Sequence, residues 1–471
     1  MKNLKIYLTL LALLFSFPVY AQYGSVGVKD ARSMGLGKTH NATAFGIFSV
    51  GINPANLSYE NQNLFEIATV LPLPTISLRT GTDFISFNEF NYYFGGVNGE
   101  PRYLTDDDKE KLNSLFDNGG SVFASVNMEL FSLSFNPGKE TGVFAFSLYD
   151  FASMRANIPD ALVDVVLSGN PIGRTFNLDE GDLKGWWIRN YALSYSRQFP
   201  EITMLENFAA GITLKLVQGF SYVGTHKNNT YFTTGSNAEI SGQTDLIGYS
   251  SFSDNFGVNY EFDSTSKKSN FSLFPSPAGT GFGFDIGFAG ELNEKWKFAL
   301  SVTDIGKINW TKNVAEFSSF GYIYLDDLTN REQRDSVKEI VTGDSRKVQN
   351  VKTNLATALR FGTSYLFGEE LKTWPGSLLL AFDYNQGFND MPGNSLEPRF
   401  SIGTEWKLMD WFPYLRTGFS YGGGLGFNWA FGLGIDGGIV DLNFATTDMQ
   451  SVFAPNSSKA LSVSLSSRWK F

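Results

Sequence analysis

Leu461-Ser-Val-Ser-Leu-Ser-Ser-Arg-Trp-Lys-Phe471 closes the chain, and the reading of this stretch decides the fold. Leu461, Val463, Leu465, Trp469 and Phe471 share one side of a strand, with Ser467 as the only polar interruption. Ser462, Ser464, Ser466, Arg468 and Lys470 share the other. Side chains alternate faces along a strand, so the segment is apolar on one surface and wet on the other. Its length matches the roughly 9–11 residues a tilted strand needs to cross a bilayer. A half-buried strand of a soluble sandwich would carry the same alternation, so the rest of the chain has to separate the two.

Ending on an aromatic residue resembles the C-terminal signal of bacterial outer-membrane β-barrels, in which the last strand closes the sheet. The resemblance makes Trp469 and Phe471 the assembly signal and the barrel-assembly machinery a partner. Thirteen earlier runs show strand-like alternation: 64–79, 121–135, 143–150, 187–197, 208–220, 282–288, 296–302, 355–365, 378–385, 399–407, 413–421, 425–435 and 438–445. In the sixth, Phe282, Phe284, Ile286 and Phe288 oppose Gly283, Asp285 and Gly287. The apolar phase flips near Leu130, which predicts a bulge. Asp304 breaks the seventh run, as a bulge or as the exit from a membrane, with Gly306 beside it.

The connections sort by length. Counted alternately, 137–142, 200–206, 291–295, 369–375, 409–411 and 435–437 fall on one side and are short. The long ones, 81–120, 153–183, 224–279 and 311–350, fall on the other. Thr105 and Pro159 mark helices within them. Short turns on one side, long loops on the other and an even strand number describe an outer-membrane barrel. Trp296, Trp310, Trp406, Trp411 and Trp469 stand near strand ends, where interfacial aromatic girdles lie. The expected fold is all-β: a transmembrane antiparallel β-barrel of about 14 strands, spanning 61–471, in the outer membrane of a Gram-negative bacterium.

Residues 1–21 read as a secretory signal peptide: Lys2 and Lys5, an apolar stretch, then Val19-Tyr20-Ala21 as the cleavage site. The apolar run is too short for a membrane anchor, and no Cys near Ala21 supports a lipoprotein. With no cysteine anywhere, disulfides and thiolate metal sites are excluded. Glycine (48), phenylalanine (44) and tyrosine (20) are abundant while only 42% of residues are hydrophobic, which suits half-apolar strands. Removing Lys2 and Lys5 takes the net charge from −10 to −12, against a nucleic-acid partner.

The predicted lumen-facing charges are Glu129, Lys215, Asp285, Arg360, Asp383, Arg399, Glu405, Arg416 and Asp441. A catalytic cluster or a selectivity filter is one reading; a solvated or paired wall is the simpler one, because charge in a barrel interior costs little. Only His40 and His226 carry an imidazole, and neither has a sequence neighbour that makes a hydrolase triad. No catalytic residue, metal ligand or cofactor is assigned. Gly281-Phe-Gly283 and Gly422-Gly-Gly-Leu-Gly426 lack a βαβ context and read as turns or crowded packing.

Residues 22–60 are too short for a domain. Asp30-Ala31-Arg32-Ser33-Met34-Gly35-Leu36-Gly37 and Gly51-Ile52-Asn53-Pro54-Ala55-Asn56-Leu57 resemble the N-terminal segment of the FadL-type transporter family. The resemblance implies a fourteen-stranded barrel for hydrophobic compounds and an N-terminal hatch whose motif stands here as Asn53, Pro54 and Ala55. A barrel this wide needs a plug or conducts, since its own side chains cannot fill it. Arg360, Arg399, Glu405, Arg416 and Asp383 are the candidate polar partners for such a hatch. Two functions follow: passage or binding of hydrophobic small molecules, or, as in PorV-like relatives, a non-transporting partner of a type IX secretion or surface-assembly machine. Membrane lipid is a partner in both.

Overall fold

The computed structural model describes residues 30–59, 63–117, 119–202, 205–258, 272–292, 295–327, 329–368, 375–409, 411–424 and 426–471. The expected signal peptide, 1–21, lies outside them, as does the start of the expected hatch, 22–29.

Fourteen antiparallel strands form a closed ring. They are β1 in two pieces (Phe65–Thr69 and Thr75–Thr82), β2 (Gly120–Phe135), β3 (Val143–Ile158), β4 (Asp182–Ile202), β5 (Leu205–Asn228), β6 (Gly279–Leu292) and β7 (Trp296–Trp310). Then come β8 in two pieces (Val351–Asn354 and Ala358–Phe367), β9 (Ser377–Gly387), β10 (Arg399–Lys407), β11 (Tyr414–Gly422), β12 (Phe427–Asp436), β13 (Val440–Thr446) and β14 (Ala460–Lys470). Each pairs with its sequence neighbours, and β14 pairs back to both pieces of β1, with Glu66 opposite Lys470 and Ile76 opposite Leu465. The Phe65 amide donates to the Phe471 carbonyl at 3.1 Å, and the Phe471 amide returns the bond at 2.9 Å. No sheet edge is left in the ring, which is what a lipid environment demands of backbone polar groups.

Alternation decides which face each residue takes. On β6, Phe282, Phe284, Ile286 and Phe288 are exposed outward, while Asp285 is buried inside. The phase change near Leu130 is a bulge, the register slipping between Glu129 and Phe131. Asp304 sits in a second bulge with φ +58°, its amide bonded to the Asp285 carboxylate at 2.7 Å, and β7 continues past it to Trp310. Ser467, polar on the apolar face, has its reason in β1. Residues 70–74 leave the ladder there, and the Ser467 hydroxyl bonds the Leu73 carbonyl at 2.5 Å.

The short connections gather at one end and the long ones at the other, but the long ones are less loop-like than the sequence implied. β4 and β5 run well beyond their predicted ends. The far part of β5 leaves β6 to pair with Ile240–Phe252, which pairs with Ala315–Leu325, which pairs with Asp344–Lys347. These strands lack a continuous apolar face, so nothing in their pattern marked them as crossings. Helices Phe87–Phe94, Asp106–Ser114, Asp160–Ser168 and Arg331–Thr342 complete the long-loop end. Inside the ring, Phe151, Trp186, Ile188, Val217, Tyr222, Ile308 and Trp310 form an apolar core toward that end.

Candidate functional site

Residues 30–59 lie within the ring, almost wholly buried, with contacts to strands around the circumference. Their backbone turns through a helix at Ala31–Gly35 and 3-10 turns at Gly46–Ser49 and Pro54–Leu57. Asp30 caps the first, taking the Ser33 amide at 2.9 Å. A polar backbone buried in a lumen needs partners, and the wall supplies them.

Asn53 and Pro54 make the tightest join. Asn53 is extended, as the residue before proline prefers, and its side-chain oxygen takes the Ala55 amide at 3.0 Å. Its side-chain amide donates to the Phe288 carbonyl of β6 at 3.1 Å. Pro54 occupies the first helical position, where its missing N–H is not needed. Ala55 is fully buried among Ala209, Ala289 and Ala299, and its carbonyl accepts from Ser196 at 2.8 Å.

The lumen charges act on the same segment. Arg360 donates to the carbonyls of Gly51 and Ile52 at 2.8 and 3.2 Å. Asp383 accepts the amides of His40 and Asn41 at 2.7 and 2.8 Å. Glu405 takes both arms of Arg32 at 2.8 Å each and Arg416 Nε at 2.5 Å, while Arg416 also reaches Asn443 at 2.7 Å. Arg399 is fully buried with Asp383 as its counter-charge. Trp469 and Phe471 are elsewhere, on the outer wall at the short-turn end: the Trp469 indole donates to Leu71 and its ring lies parallel to that of Phe471.

Three features escaped the sequence reading. Arg32 is the main cation of the segment, and nothing marked it beyond its place in a small-residue run. Arg468 ties Asp441 to Glu66, whose carboxylate also receives the Ile47 amide at 2.8 Å. The third is a belt of wall glycines. A Cβ at Gly211, Gly287, Gly403, Gly418 or Gly432 would fall within 3.0 Å of Pro54, Asn53, Leu36, Leu36 and Gly35 respectively. These glycines sit at inward positions of their strands, which is the signal the sequence does hold.

Two cavities open within the ring. One of about 820 Å³ opens at the long-loop end. Its wall carries the pairs Arg79–Asp448 (2.7 Å), Arg155–Asp182 (3.1 Å) and Lys184–Asp390, with Phe84 and Phe123 as apolar contacts. Burial raises the Asp448 carboxyl, but Arg79 and the hydroxyls of Ser462 and Thr447 together bring the group down to about 2. The other, about 370 Å³, lies toward the short turns, beside Arg32, Glu66, Glu405, Arg416 and Arg468. Among the described residues no cluster of His, Asp and Glu is placed to hold a metal ion.

His40 is fully buried in the segment, and neither ring nitrogen has a hydrogen-bond partner among the described residues. Burial, with Arg399, Arg360 and Lys38 adding positive charge, holds its imidazole well below the ordinary histidine range.

A family model matches residues 61–448, from before β1 to beyond β13. The chain belongs to the family of unknown function DUF5723. A search of the curated proteins finds no match for this DUF5723 chain. Among solved structures it is similar to the Ralstonia pickettii toluene transporter TbuX, at 12% identity over 96% of this chain and 99% of that one, TM-score 0.45. It is similar also to the Pseudomonas putida toluene transporter TodX (9% identity, 97% and 100%, TM-score 0.43). A Pseudomonas aeruginosa FadL homologue gives 11% identity over 96% and 100%, TM-score 0.46. The DUF5723 match begins after the buried N-terminal segment, so Asn53, Pro54 and Ala55 fall outside it.

Proposed function

We propose that the chain is a plugged channel of the outer membrane, long-loop end outward, which takes small hydrophobic molecules with a polar end from outside and releases them inward when residues 30–59 shift. The observation that carries this is the seal. Polar bonds fix the segment to the wall on many strands, and a cavity of about 370 Å³ lies beside it toward the short turns. The outer cavity's mixed lining suits a ligand with both kinds of surface: ion pairs meet a polar group, and Phe84 and Phe123 meet an apolar one.

The test is uptake. Cells producing the chain should accumulate a hydrophobic fluorescent dye such as N-phenyl-1-naphthylamine faster than cells lacking it. Organic extraction of the purified barrel should release a bound amphiphile. Equal dye uptake, with a secretion-machine component as the constant companion in purification, would replace this reading with the scaffold one.

A further inference from the structure

At the long-loop end a string of rings carries the apolar surface of the barrel wall onto a short helix, and a second helix packs beside the turn that follows it. On the outward face of β11 and β12, Phe419 stacks with Phe427 at 5.6 Å and with Trp429 at 6.2 Å. Trp429 in turn stacks with Phe453 at 5.9 Å. Phe453 belongs to the helix Gln450–Phe453, held against the wall by the Met449 amide, which donates to the Trp429 carbonyl at 2.7 Å. Val452 and Phe453 are 61% and 69% exposed.

The second helix, Phe87–Phe94, packs beside the next turn, Pro455–Ser457, and the Phe87 amide bonds the Ser458 carbonyl at 3.0 Å. Its Phe87, Phe90 and Phe94 recur at the spacing of one helical face. Phe90 and Phe94 are 52% and 59% exposed, their rings 5.3 Å apart. The opposite side is polar and anchored: Glu89 closes a capping box with Ser86, and Tyr92 bonds Asp108 beneath the guanidinium of Arg102. Tyr93 packs into the loop core of Phe84, Ile85, Leu112 and Phe116. The helix is therefore fixed with Phe90 and Phe94 turned away from the protein and Phe87 half-buried beside them.

We propose that helices Phe87–Phe94 and Gln450–Phe453 lie on the outer leaflet, their aromatic faces set into the boundary between headgroups and acyl chains. The occupant is lipid because Phe453 continues the lipid-facing wall through Trp429 and Phe419, and the helix Phe87–Phe94 is anchored beside it. Aromatic side chains favour that boundary, and a short amphipathic helix lying in its plane buries its apolar face there. The arrangement raises the membrane level on the β11–β14 side to the rim of the outer cavity, where Phe427 and Gln450 are among the lining residues.

The chain has no cysteine, so single labels can be placed cleanly. Phe90→Cys and Phe453→Cys would each carry a nitroxide in lipid nanodiscs, with Phe419→Cys as the wall reference and Tyr103→Cys, 94% exposed in its loop, as the aqueous one. Heat-modifiable migration confirms that each variant is a folded barrel. The ratio of oxygen to nickel-chelate collisions at 90 and 453 should resemble that at 419 and exceed that at 103 several-fold. Labels at 90 and 453 that collide with the nickel chelate as freely as the one at 103 would overturn the proposal.

Discussion

Arg32 meets Glu405 with both guanidinium arms, Nε and Nη2 each 2.8 Å from a carboxylate oxygen, across 373 positions of sequence. The planar fork matches the carboxylate, so the contact fixes orientation as well as charge. Arg416 holds the same carboxylate from β11, and Arg32 Nη1 reaches the Thr43 carbonyl within the segment. One wall carboxylate thus positions the first helix of the N-terminal segment.

Breaking that pair should loosen the segment without opening the barrel. Arg32→Ala leaves Glu405 with Arg416 alone and should cost about 3–5 kcal/mol of docking, the usual loss when one partner of a buried pair goes. Limited proteolysis reads it: cleavage within residues 30–59 rises while heat-modifiable migration persists. Arg32→Lys should recover only part of the protection, since an ammonium cannot make the paired contact.

Close approach gives an independent handle. Gly418→Val puts a branched side chain where the Leu36 and Gly37 backbone runs, and the backbone cannot give way as a flexible side chain would. The expected outcome is a closed barrel whose N-terminal segment is protease-sensitive. Unchanged protection would mean the segment does not pass Gly418 as described.

Acid should favour release through His40. Docked, the imidazole faces Arg360, Arg399 and Lys38, with the Asp383 carboxylate on the neighbouring amides, and stays neutral well below its ordinary range. Released, it titrates near 6.5. Above about pH 6.5 both states are neutral and docking is at full strength. Below it the released state takes up a proton the docked state cannot, so docking weakens progressively as pH falls toward the docked value. Protease sensitivity of the segment should rise between about pH 7.5 and pH 5 in the wild type, and His40→Gln should flatten that profile.

The last strand makes a separate prediction. Phe471 pairs through its backbone with Phe65 while its ring stays exposed on the outer wall. Phe471→Asp keeps the backbone bonds and removes the aromatic terminus, so assembly should slow while the barrels that do form remain stable. Pulse-labelled appearance of the heat-modifiable form measures it; a normal rate would mean the terminal ring is not what assembly reads.

How far the sequence reached follows from where its information was local. Period-two alternation is written into each strand, so the ring of fourteen, the bulge after Glu129 and the outward rows such as Phe282 to Phe288 were legible. Asn53 and Pro54 were legible as a motif, because their conformation depends on each other. Partnerships across the lumen were not: Arg32 with Glu405, or Arg468 with Glu66, join residues hundreds of positions apart. Gly211, Gly287 and Gly418 looked like any inward glycine until Asn53, Pro54 and Leu36 stood opposite. Strands Ile240–Phe252 and Ala315–Leu325 pair with each other at the long-loop end and lack the continuous apolar face that would have marked them.

The most direct test of the account is single-channel conductance in planar bilayers, comparing the full chain with one lacking residues 24–52. The full chain should conduct poorly or not at all, and the deletion should give stable, wide openings through a barrel that still migrates as heat-modifiable. Equal conductance from two equally well-folded barrels would contradict the claim that this segment closes the lumen.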